Sequence, residues 1–70
     1  MENLKQMHYK QIDLYFNEII EYKSQNNEFW CGYSLATFQI EVTNAFNKGF
    51  ITLEQSNFLC RCGIYASINL

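Results

Sequence analysis

Apolar residues fall at Leu4, His8 (as its neutral ring), Ile12, Tyr15, Ile19 and Tyr22, at intervals of three and four. That spacing draws one stripe along a helix and predicts helical structure from about Asn3 to Ser24. Asn3 can open the helix, because its side-chain oxygen can accept from a free amide of the first turn. The polar run Ser24-Gln25-Asn26-Asn27 closes the pattern. A second strip, Tyr9, Phe16 and Ile20, runs beside the first, and Met7 and Leu14 extend the other edge. Only Gln6, Lys10, Asp13, Asn17 and Glu21 form a plainly wet face. A helix apolar over more than half its circumference needs more than one neighbour, and one of these can be another molecule.

Glu28-Phe29-Trp30-Cys31-Gly32-Tyr33 places three aromatics around a glycine and reads as a connection whose rings fold back over the core. Ser34 is then the expected cap of a second helix running to about Lys48. Its apolar side comprises Leu35, Phe38, Val42, Ala45 and Phe46. Thr37-Phe38-Gln39-Ile40-Glu41-Val42-Thr43 also alternates as a strand would. Helix is favoured because Ala45 and Phe46 keep the helical spacing and Gly49 stands where a C-terminal cap belongs. Thr52 and Gln55 have capping-box spacing, and Glu54 puts a negative charge in the first turn of a third helix, about Leu53–Ser67. Arg61 is its only charge after Glu54, and Phe58, Leu59, Cys60, Ile64, Tyr65 and Ile68 surround it. That distribution suggests a central or sandwiched helix, with Gly63 permitting a close crossing. The expected fold is mainly α: one compact three-helix domain over residues 1–70 with a C-terminal helical hairpin, or α+β if residues 37–43 form a strand.

Composition sharpens this picture. Of the 70 residues, 49% are hydrophobic and 17% aromatic, and only 17% are charged, against about 25% in ordinary domains. A chain this short buries roughly 60% of its unfolded surface, so some aromatics are expected on an exposed patch, the usual mark of a partner site. The two candidate patches are Phe29, Trp30 and Tyr33, then Tyr9, Phe16 and Ile20. Tyr and Trp suit such a role because they present large, rigid area with a polar handle.

The five bases, Lys5, Lys10, Lys23, Lys48 and Arg61, are scattered in a chain of net charge −2. Direct nucleic-acid binding is therefore disfavoured, since it draws on clustered positive charge. Nothing apolar approaches the roughly 20 residues of a membrane span. The first residues lack the order of a secretory signal, and an odd number of cysteines fits a reducing compartment, so the expected location is cytoplasmic.

Catalytic, cofactor and metal sites are not expected. Cys31, Cys60, Cys62 and His8 would together suit tetrahedral zinc. However, Cys60 and Cys62 on one helix point about 200° apart, so packing is the favoured role. No motif places a cysteine beside His8 as a nucleophile pair. Asp13, Glu18 and Glu21 accompany Lys10 and Asn17 on the solvated side. There is no phosphate-cradling glycine loop, hydrolase signature or calcium loop.

These readings converge on a small protein-binding inhibitor or adaptor acting stoichiometrically on a larger partner, with a homodimer as a further option. Eight Asn residues and no Pro are typical of AT-rich coding. Compact acidic helical proteins of such genomes include many that phages and mobile elements direct at host defence enzymes, an analogy of size and composition. The alternative is a helix-turn-helix-like transcriptional regulator using the hairpin around Gly49 and Thr52.

Overall fold

The computed structural model describes residues 3–69, without the side chain of Asn69. Three helices follow in order: α1 (Leu4–Ser24), α2 (Glu28–Asn47) and α3 (Leu53–Asn69). The architecture is a mainly α three-helix domain, with no strand among the described residues. Residues 37–43 lie inside α2, where Phe38 and Val42, four apart, both face the core.

Local hydrogen bonds account for the helix boundaries from the start of α1 to the start of α3. Asn3 Oδ1 accepts from the Gln6 amide at 2.8 Å, and the Gln6 side chain returns the bond to the Asn3 amide at 3.4 Å. At the other end of α1, the Asn27 amide bonds Tyr22 O and the Asn26 amide bonds Lys23 O. Asn26 takes the left-handed conformation this requires, with φ 57°. Asn27 then serves a second purpose, its Oδ1 accepting from the Trp30 amide at 3.3 Å. It is therefore Asn27, and not Ser34, that caps α2.

Residues 28–33 correspondingly form the first turns of α2 rather than a connection. Asn27 starts the helix, Glu28 suits its positive end, and the Cys31 amide already bonds Asn27 O at 2.9 Å. Ser34 is buried one turn further on, and its hydroxyl donates to Glu18 on α1 at 3.4 Å.

The α2–α3 turn repeats the same closure. Phe50 N bonds Ala45 O and Gly49 N bonds Phe46 O, each at 2.9 Å, around Gly49 at φ 77°. Thr52 and Gln55 then exchange side-chain bonds to each other's amides at 2.8 and 3.1 Å, completing the capping box that starts α3. A Cβ at Gly49 would meet nothing within 4 Å, so only backbone strain opposes substitution. Gly49→Val should cost more than about 1 kcal/mol, the strain of a branched residue in a left-handed position. Chemical denaturation measures it, and an unchanged midpoint would remove the cap from the account.

The centre of the domain is α2. Ile12 and Ile19 of α1 and Ala66 of α3 close on Phe38, Val42 and Ala45 of α2. Both other helices pack against α2, and they meet each other less extensively. This corrects the expectation that α3 is central or sandwiched: its outward residues Phe58, Tyr65 and Ile68 are 64–66% exposed. Gly63 does allow a close crossing, lying directly against the Phe38 ring. The Cα trace spans 35 × 27 × 14 Å, and α1 and α3 leave an open groove of about 310 Å³ between them.

Candidate functional site: an exposed aromatic ladder

Because residues 28–33 are helical, their aromatics project from one end of α2 in a fixed arrangement. Trp30 and Tyr33 are three residues apart and Phe29 and Tyr33 four, the spacings that bring side chains together on a helix surface. Trp30 meets the Phe29 ring edge-on at 5.1 Å and the Tyr33 ring at 5.4 Å. Tyr22 of α1 supports it from below, with ring centroids 6.3 Å apart. The outer members remain in water: Phe29 is 73% exposed and Tyr33 58%, with Trp30 at 44%. Cys31, between them in sequence, faces inward and donates to Ile19 O at 3.7 Å. The result is a mutually braced aromatic surface anchored through one tyrosine to the neighbouring helix. Three of its four rings form the aromatic cluster plain in the sequence, and the fourth, Tyr22, belongs to the apolar stripe of α1.

The second candidate strip divides. Ile20 is half-buried and packs on the core, as does Phe16, whose ring lies 5.7 Å from that of Phe38. Tyr9 and Phe16 both line the groove between α1 and α3, with Phe38 at its floor and Ile51, Leu59 and Cys62 opposite. Tyr9 is 41% exposed, and its hydroxyl donates to Phe50 O at 2.9 Å, tying α1 to the α2–α3 turn. Lys5 Nζ lies 5.7 Å from the centre of the same ring.

His8 is buried against α2, tilted onto Phe50 with ring centroids 5.4 Å apart. Lys48 Nζ approaches Nε2 to 2.9 Å, and Glu41 Oε1 approaches Nδ1 to 2.8 Å. An ammonium can only donate, so a hydrogen bond between Lys48 and His8 requires Nε2 as the acceptor. The Glu41 approach is close but oblique, an electrostatic pairing rather than an aligned hydrogen bond. These three residues join the start of α1 to the end of α2. The sequence signal for them was faint: His8 stood on the apolar stripe with no indication of its partners.

Among the described residues, no three of His, Cys, Asp and Glu stand close enough to share a metal ion. Cys60 is half-buried against the core, whereas Cys62 opens on the groove. No described helix is long and apolar enough to cross a membrane. Comparison with protein-family models, curated proteins and solved structures returns no match.

Proposed function

We propose that this protein acts by binding another protein stoichiometrically, as an inhibitor or adaptor, and that the aromatic ladder of Phe29, Trp30 and Tyr33 is its contact surface. The supporting observation is the exposure of these rings together on one rigid helix end. Hot spots of protein interfaces favour Trp and Tyr held in this way, because little side-chain freedom is lost on binding. A host defence enzyme, met by a protein of phage or mobile-element origin, is the partner class that size and composition suggest. The helix-turn-helix reading has less support. The first turn of α3, which would enter the major groove of a polyanion, carries Glu54 and neither Lys nor Arg.

The test is affinity capture from the source lysate with the wild-type chain and with Trp30→Ala and Phe29→Ala as bait. One protein retained near stoichiometry by the wild type should be lost on both variants, with Trp30→Ala weakening binding roughly 30-fold or more. Folding should change far less. Phe29→Ala should stay within about 0.5 kcal/mol of the wild type, and Trp30→Ala should cost about 1 kcal/mol from its ring contacts. Equal retention by all three chains would remove the ladder as the contact surface. Retention of DNA alone would favour the regulator.

A further inference from the structure

We propose that the outward face of α3 pairs two copies of this chain in an antiparallel, two-fold dimer centred near Phe58. Glu54, Phe58, Arg61, Tyr65 and Ile68 follow one another at intervals of four, three, four and three, which places them on one helix stripe. The core-facing residues Ser56, Gly63 and Ala66 occupy the opposite side. The stripe thus points away from the domain, with Phe58 64%, Tyr65 66% and Ile68 64% exposed. Apolar grooves flank it on the α1 side: Phe58 shares one with Tyr9 and Ile51, and Tyr65 shares the next with Phe16 and Cys62. A partner's ring has somewhere to go.

Charge selects the occupant. Glu54 and Arg61 are the only charged residues of α3, both exposed and both on this stripe. Neither makes an ion pair within the chain among the described residues. They stand seven residues apart, about 10 Å along the axis, with Phe58 near the midpoint. A two-fold axis through that midpoint sets Glu54 of each copy opposite Arg61 of the other, twice, and Phe58 against Phe58. Parallel pairing would instead align like charges. A surface complementary to itself under a two-fold rotation is what a symmetric dimer requires.

The exposed apolar area suits a weak dimer. Phe58, Tyr65, Ile68 and Tyr9 leave on the order of 450 Å² in water, taking about 200 Å² per side chain. That is more than half of the roughly 800 Å² each partner buries in a standard interface. This face is separate from the Trp30 ladder, so either assignment can fail without the other.

Sedimentation equilibrium of the full chain across a concentration series tests the proposal. The wild type should sediment as a dimer, weakening as salt rises because the ion pairs are exposed. Phe58→Ala should sediment as a folded monomer. Arg61→Glu should weaken association on the order of 10- to 100-fold, since both ion pairs become repulsions. The double exchange Glu54→Arg with Arg61→Glu should restore it, with circular dichroism confirming that each variant keeps its helices. A wild type still monomeric at about 1 mM would overturn the proposal. So would a dimer indifferent to Phe58→Ala and Arg61→Glu, or a double exchange that stays helical without restoring association.

Discussion

Gly63→Val is expected to lower stability by about 3 kcal/mol, at the upper end of what overpacking costs. A Cβ at Gly63 would lie 2.7 and 2.8 Å from Cε1 and Cδ1 of Phe38, and 3.2 Å from Cδ1 of Leu35. Real carbon pairs need about 3.5 Å or more. Phe38 is 1% exposed with Phe16 packed on its ring, so any withdrawal would disturb the core. The α2–α3 contact therefore has to open. For Gly63→Ala the clash is partly offset by about 1 kcal/mol of helix propensity, so alanine should cost less than valine. A domain of this length holds only roughly 4–10 kcal/mol in all. Each kcal/mol moves the midpoint by about 4–8 °C at this size. A thermal melt followed by circular dichroism should thus place Gly63→Val at least about 12 °C below the wild type. A valine variant melting with the wild type would mean that the two helices do not cross this closely in solution.

Phe38→Ala is expected to cost about 3–5 kcal/mol, a large share of the roughly 4–10 kcal/mol the domain holds. Phe38 is among the largest fully buried side chains, and it underlies three features at once: the core of α2, the seat of Gly63 and the floor of the α1–α3 groove. Its removal leaves a void between all three helices that none can fill without moving. Urea denaturation measures the loss, and a cost below 1 kcal/mol would contradict the placement of this ring. The two sites should also be coupled. In a Phe38→Leu background the smaller side chain vacates part of the notch, so Gly63→Ala should become cheaper by at least 0.5 kcal/mol. Additive costs would show that the ring and the glycine do not compete for the same space.

Much of the fold was legible because helix ends are local chemistry. Gly49, Thr52, Gln55 and Asn3 act within three or four residues of their own position, so each is legible as a cap from its neighbours alone. The start of α2 escaped for an equally local reason. Asn26 adopts the left-handed conformation usually left to glycine, and Asn27 is at once the exit of α1 and the cap of α2. A turn that short, followed by three aromatics and a glycine, gives little outward sign of a helix. Ser34 looked like a cap because serine usually is one at a helix start. Here its hydroxyl is satisfied instead by Glu18, a partner sixteen residues away.

The sequence by itself determined that the first and last segments are helical, where α1 ends, where the hairpin turns, and that the aromatics outnumber the places in a core this small; that residues 37–43 are helix was decided by the structure. Tertiary structure alone decided which helix became the centre. The abundance of apolar residues in α3 suggested burial, yet α2 took the middle and left Phe58 and Tyr65 in water. The physical reason is that hydrophobicity records how strongly a side chain favours leaving water, whereas burial depends on whether another helix arrives to cover it. The three aromatics at the start of α2 and the pairing of His8 with Glu41 and Lys48 follow the same logic. Their residues are plain in the sequence, and their neighbours exist only once the helices have packed.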